Sequence, residues 1–137
     1  PRLISSAASD VYKRQLVSYS NFGKPFTERS VYIRDAIKIL NERNVDFEYD
    51  GEMGANTALN ENLMKLYPFC KLSGPANLLI MPAIHSASIS TKMLQELGGG
   101  NLVGPYLVGF KESIQIAPLG ANVSDIVNLA ALAAYKN

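Results

Sequence analysis

From residue 16 onward, short strand-like runs alternate with stretches of helical period, and that order constrains the fold more than any single motif. Residues 16–20 have β character and end in the loop residues Asn21, Phe22, Gly23, Lys24 and Pro25. Ile33, Ile37 and Leu40 then recur at i, i+4 and i+7, with Glu28, Arg29, Arg34, Lys38 and Glu42 outside. This spacing predicts an amphipathic helix with Thr27 as its N-cap. Residues 45–49 alternate, predicting a strand that delivers Asp50 and Glu52 to its C-terminal edge. Asn56 or Thr57 then caps a helix carrying Leu59, Leu63 and Leu66, and Pro68 ends it.

Residues 77–81, Asn-Leu-Leu-Ile-Met, are closed by Pro82 and read as a buried parallel strand, apolar on both faces. Ser86 or Ser88 starts a helix that buries Ile89, Met93, Leu94 and Leu97, with Gly98 in the left-handed cap position. Residues 103–109 predict a strand interrupted by glycines, with a short one at 113–117 beside it. The last helix starts near Asn122, with Asp125 three residues on as its capping partner. Its body, residues 127–134, is apolar nearly all round, so it is expected to be buried in the domain or at a subunit interface.

Alternating strands and helices imply an α/β fold. The expected form is a three-layer αβα arrangement around a mostly parallel sheet with right-handed crossovers. Ligands of such sheets bind beyond the C-terminal strand ends. Those ends are Ser18 to Gly23, then Asp50, Gly51 and Glu52, then Pro82 onward. Residues 1–15, PRLISSAASDVYKRQ, have no such period and resemble translated adapter tails carried by some sequencing fragments. They are expected to be a non-native tail or a linker and to pack poorly. The chain lacks an initial methionine, which suggests a fragment, and residues 16–137 are the part read for its fold.

Composition removes several function classes. The net charge is +1 and the basic residues are scattered, which argues against nucleic acid or an anionic membrane surface as partner. No apolar stretch reaches the roughly 18–20 residues of a membrane span. Cys70 is the single cysteine, so no intrachain disulfide can form, and no Cys/His grouping offers metal ligands. A cytoplasmic setting is expected. His85 is the single histidine and has no Ser, Cys or metal partner at a recognisable spacing, which makes it a loop histidine. Cys70 reads as a small buried apolar residue. The Gly98-Gly99-Gly100 run ends a helix instead of starting one, so it is not a phosphate loop.

Five segments in order resemble the phosphate acetyl/butyryltransferase (phosphotransacetylase) family. They are 16–23; Asp50-Gly51-Glu52-Met53 with Ala58-Leu59; GPANLLIMP at 74–82; 104–109; and Asp125-Ile126-Val127-Asn128. Each is weak alone, while the ordered set is specific. Ser18 to Gly23 and Ile89-Ser90 further resemble the C-terminal domain of hybrid NADP-dependent malic enzymes. The resemblance implies a two-lobed, isocitrate dehydrogenase-like α/β domain whose cleft binds coenzyme A and acyl phosphate and which self-associates. It implies ligand-binding roles for Ser18, Ser20, Asn21, Gly23, Asp50, Glu52, Pro82, Gly104 and Pro105. At Ser18, Ser20 and Asn21, hydrogen bonds that satisfy the strand end are the competing reading. At Asp50 and Glu52, it is a local turn.

The residues that active family members use for chemistry are mostly replaced. A Ser-Arg pair before the last helix aligns with Pro118 and Leu119, an arginine after Gln95 aligns with Glu96, and a lysine aligns with Phe22. Only Asp125 remains, itself a helix first-turn residue favoured by the dipole. Arginine forks meet phosphate bidentately, and acyl transfer needs donors aimed at an oxyanion, each worth about 10²–10³ in rate. The expected role is therefore an acetyl-CoA-binding regulatory and assembly domain of a malic enzyme. NADP and a divalent metal would belong to an upstream malic-enzyme domain. An active phosphate acyltransferase and a pure dimerisation scaffold are the alternatives.

Overall fold

The computed structural model describes residues 12–98, 102–107 and 109–135. They fall into two compact units, residues 12–90 and the described part of 91–135. The first unit is built on a three-stranded parallel sheet in the order β2-β1-β3. Its strands are β1 (Arg14–Val17), β2 (Tyr49–Met53) and β3 (Leu78–Ile80). Its helices are α1 (Glu28–Arg43), α2 (Ala55–Ala58), α3 (Glu61–Met64) and the start of α4 (Ile84–Gly98); α5 (Val123–Ala134) belongs to the second unit. The parallel α/β architecture expected from the alternation is present.

The central strand begins two residues before the boundary read from the sequence. Arg14 pairs with Tyr49 and Leu78, and Gln15 pairs with Asp50 and Leu79. Gln15 is fully buried, so the expected poor packing of residues up to 15 fails at this position. Ladder bonds use backbone groups and accept any non-proline residue. The Gln15 Nε2 group donates to the Asp50 carbonyl at 3.0 Å, while Oε1 finds no partner. Arg14 stacks its guanidinium 3.9 Å from the centre of the Phe47 ring.

Strand β2 lies four residues later than its alternating pattern suggested, so Asp50 and Glu52 are within the strand and not beyond its end. Gly51 is the cause. A Cβ there would lie 2.9 Å from Leu16 Cβ and 3.0 Å from the Leu16 carbonyl oxygen, so only glycine lets the two strands approach. The register then slips: Leu16 pairs with Gly51 and Val17 with Met53, leaving Glu52 as the extra residue of a bulge. Helix α1 packs on β2 with Ile37 buried. Thr27 caps α1 through a reciprocal capping box with Ser30, and Asn44 ends it in a left-handed conformation.

Three expected helical features are corrected. The helix expected from Asn56 or Thr57 is two short ones, because the Asn60 side chain accepts from Asn62 N at 2.9 Å and caps a new start. Leu59 and Leu66 are exposed in consequence, and the core is Met53, Ala58, Met64, Leu72 and Ala76, with Phe22, Cys70 and Leu79 against it. Helix α4 starts earlier, at Ile84, and buries none of its residues; Ile89, Met93, Leu94 and Leu97 are exposed. Gly98 is its last helical residue and not its cap, and Gly99 and Gly100 lie outside the described residues.

Strand β3 is an edge strand of three residues with no buried member, which corrects the doubly buried strand expected at 77–81. In the second unit no strand forms among the described residues of 103–109 and 113–117. Gly104 and Gly109 adopt φ values of 141° and 91°, outside the strand region, and Pro105 lacks a ladder donor. The Gln115 side chain instead bonds both the amide and the carbonyl of Leu107, at 3.2 and 3.4 Å. Helix α5 starts as expected, with Asn122 accepting from Asp125 N at 3.0 Å and Asp125 Oδ2 accepting from Asn122 N at 2.9 Å. Its body is less buried than its composition suggested. Leu129 is buried, while Val123, Ile126 and Val127 are exposed.

Candidate functional site

The loop after β1 lies at the C-terminal edge of the sheet. Its course follows from one buried carboxylate. Glu52, fully buried in its bulge, accepts through Oε1 from the Gly23 amide at 2.8 Å and from the Ser20 hydroxyl. Its backbone carbonyl accepts from Phe22 N at 2.8 Å. Asn21 and Lys24 close the turn with reciprocal backbone bonds of 3.0 and 3.1 Å. Phe22 and Gly23 occupy the two positive-φ positions, at 47° and 89°, the conformation of a tight two-residue turn. Asn21 Oδ1 accepts from Gly54 N at 2.6 Å and ties this turn to the entry of α2. Glu52 Oε2 is buried and has no partner.

The structure thus brings together Ser18, Ser20, Asn21, Gly23 and Glu52 at the C-terminal end of β1, while Asp50 lies near the start of β2, opposite Gln15. Most of their polar groups are engaged with the fold itself. Ser20 is buried with its hydroxyl on Glu52. The Ser18 hydroxyl accepts from Ser20 N at 3.3 Å. Asp50 accepts from Gly51 N at 2.8 Å and from Lys71 N at 2.6 Å. Pro82 follows β3 and is exposed. Gly104, Pro105 and Asp125 belong to the second unit. Asp125 serves the α5 capping box, and the exposed Leu119 sits in the turn closed by Ala121 N and the Pro118 carbonyl at 3.0 Å.

Two titrating groups sit beside this frame. Hydrogen bonds from the Ser73 amide and hydroxyl to Glu48, at 3.0 Å each, hold its carboxyl below the ordinary 4.5. Burial is the main reason that the Cys70 thiol is pushed up to about 11, with the Asp50 carboxylate adding to the rise. A thiol so protonated is a poor nucleophile at neutral pH. His85 is exposed in the first turn of α4. No group of three or more His, Cys, Asp or Glu side chains suited to a metal occurs among the described residues. No described helix is long and apolar enough to cross a membrane.

Two features escaped the sequence reading. Phe22, Tyr67 and Phe69 form an aromatic cluster, with ring centres 4.8 Å apart for Phe22 and Phe69 and 5.6 Å for Phe22 and Tyr67. The position expected to hold a lysine thus supports an apolar wall. Arg34, assigned to the outer face of α1, is half-buried, with its guanidinium carbon 4.4 Å from the centre of the Phe26 ring. Helical spacing held the signal. Arg34 lies on the stripe of Ser30 and Ile37, at i+4 and i+7 from Ser30, and both of those residues are buried.

Comparison with known proteins agrees with this geometry. A family model described as phosphate acetyl/butaryl transferase matches residues 7–134. The chain is 63% identical over 121 residues to an NADP-dependent malic enzyme of Rhizobium meliloti, covering 88% of the chain but 16% of that protein. It is 35% identical over 120 residues to a phosphate acetyltransferase of Treponema pallidum, covering 85% of the chain and 36% of that protein. Among solved structures, the EutD phosphotransacetylase of Staphylococcus aureus matches with a TM-score of 0.81 at 28% identity, over 93% of this chain and 41% of that one. The chain therefore spans about one-sixth of the malic enzyme and well under half of the transferases. It carries a phosphotransacetylase-like domain segment of a kind found in both malic enzymes and phosphate acetyltransferases, and it belongs to the phosphate acetyl/butaryl transferase family.

Proposed function

We propose that this chain is the C-terminal part of the phosphotransacetylase-like domain of a malic enzyme, where it binds acetyl-CoA as a regulator and supports self-association without turning the ligand over. The observation that carries the reading is the turn before α5. It presents Pro118 and an exposed Leu119 where active relatives are expected to place a serine and an arginine, and the neighbouring Asp125 is engaged in a helix cap. Phe22 and Glu96 likewise replace expected cations. None of Phe22, Glu96, Pro118 and Leu119 supplies the bidentate fork or the oxyanion donor that acyl transfer requires. The 63% identity to a malic enzyme supports the choice of branch. NADP, a divalent metal and the oxidation of malate to pyruvate belong, on this reading, to a part of the protein outside this chain, in a cytoplasmic enzyme.

Calorimetry on the full-length protein tests this. Acetyl-CoA is expected to release heat and to change the rate of malate oxidation, with no acetyl phosphate formed when phosphate is added. No heat and no effect on malate oxidation would sink the regulatory reading. Sustained acetyl phosphate formation would establish the acyltransferase instead.

A further inference from the structure

Arg34 is a cationic feature of the first unit whose chemistry the fold leaves open. Its guanidinium makes no hydrogen bond and no ion pair among the described residues, and Nε is buried without an acceptor. It is nevertheless held in place. The Phe26 ring lies under it at 4.4 Å, and α1 carries it on the half-buried stripe of Ser30 and Ile37. The guanidinium also approaches the turn after β1. A Cβ at Gly23 would lie 3.1 Å from Arg34 Nη1, so the glycine, with φ at 89°, leaves the room that the guanidinium uses. Lys24, the next residue, is exposed. A cation with no ion pair among the described residues therefore stands at the C-terminal edge of a parallel sheet, beside a glycine turn whose Gly23 amide is held by the buried Glu52 carboxylate. Ligands of such sheets bind at this edge.

We infer that Arg34, stacked on Phe26 against the Gly23 turn, is a phosphoryl-binding residue, with Lys24 as a second, mobile cation. The planar fork suits a phosphoryl group because two parallel N–H donors meet two oxygens. The aromatic stack restrains the guanidinium, so less side-chain freedom is lost on binding. The site supplies positive charge beside the same turn that presents Phe22 where a lysine is expected. Phosphoryl groups come from two sources here, free phosphate or acyl phosphate on one hand and the phosphates of coenzyme A on the other. The assignment to coenzyme A rests on the acetyl-CoA reading above; the assignment of a phosphoryl group does not.

Two measurements on the full-length protein separate these. First, phenylglyoxal modification of individual arginines is followed by peptide mass spectrometry with and without inorganic phosphate. Phosphate is expected to slow modification at Arg34 several-fold more than at Arg29 and Arg43 of the same helix. Equal protection at all three is an ionic-strength effect and overturns the site. Second, calorimetry compares acetyl-CoA with its 3′-dephospho analogue on the wild type, Arg34→Gln and Arg34→Lys, with matching melting curves as the folding control. The expected result is a 10- to 100-fold loss for Arg34→Gln, partial recovery for Arg34→Lys, and a loss on dephosphorylation that Arg34→Gln no longer shows. If Arg34 is protected but acetyl-CoA binds wild type and Arg34→Gln alike, the ligand is free phosphate or acyl phosphate. If Arg34 is protected while acetyl-CoA gives no heat at all, the site stands and the regulatory reading falls. If acetyl-CoA binds both proteins alike and phosphate protects nothing, the regulatory reading stands and Arg34 is excluded.

Discussion

Glu52 sets the loop after β1 through a single carboxylate oxygen, and that oxygen is reachable only because the strand bulges where it does. The bulge in turn depends on Gly51, whose missing side chain lets β1 and β2 close. Gly51→Ala is expected to destabilise the protein by roughly 1–3 kcal/mol, the usual cost of overpacking, because Leu16 cannot retreat from its ladder. A denaturant midpoint lowered at an unchanged slope would report this, whereas an unchanged midpoint would mean that the strands can separate cheaply. Glu48 makes a different residue-scale case. Its folded pKa lies below the usual value because Ser73 donates to the charged form. The stabilisation it gives is therefore present above the unfolded pKa and is lost as pH falls through the folded one. Glu48→Gln is expected to flatten the loss of stability on acidification below about pH 4.5, by a small amount since the pair is exposed to solvent. Chemical denaturation at a series of pH values checks both the sign and the window.

At the scale of elements, capping accounts for where helices start better than apolar period does. Thr27, Asn60 and Asn122 all accept amide bonds from the turn that follows them, and each marks a helix start. Two of the three were legible as caps in the sequence. Asn60 was not, since a helix read through it kept its leucines in phase. Its side chain competes for backbone amides and breaks that helix into α2 and α3. Asn122→Ala removes one partner of a reciprocal box and is expected to cost about 1 kcal/mol of stability, with helix loss confined to α5. Amide exchange at residues 123–126 would show it; uniform exchange across the chain would not fit a local cap. The strands were less legible than the helices. Residues 45–49 alternate well, yet pairing begins at Tyr49 because ladder register is decided by the neighbour, here by the contact of Gly51 with Leu16.

For the molecule as a whole, apolar faces on α4 and α5 stand open. Ile89, Met93 and Leu97 recur at helical spacing on α4, and Val123, Ile126 and Val127 are exposed on α5. The proposed self-association would cover such a surface. Val127→Asp in the full-length protein is then expected to shift the sizing profile toward smaller species, since an unpaired charge at an apolar contact is strongly unfavourable. A profile identical to the wild type would remove α5 from the interface. By itself the sequence determined the parallel α/β class, the α1 and α5 caps and the family, because alternation, side-chain capping and ordered motifs are local properties that survive without knowledge of neighbours. Only the tertiary structure decided that Gln15 is buried in the central strand, that Ser20, Asn21 and Asp50 bond to their own fold, and that Arg34 lies half-buried on Phe26 with no ion pair among the described residues. Those outcomes depend on which groups from distant parts of the chain meet in space, and burial and hydrogen-bond partners exist only once they have met.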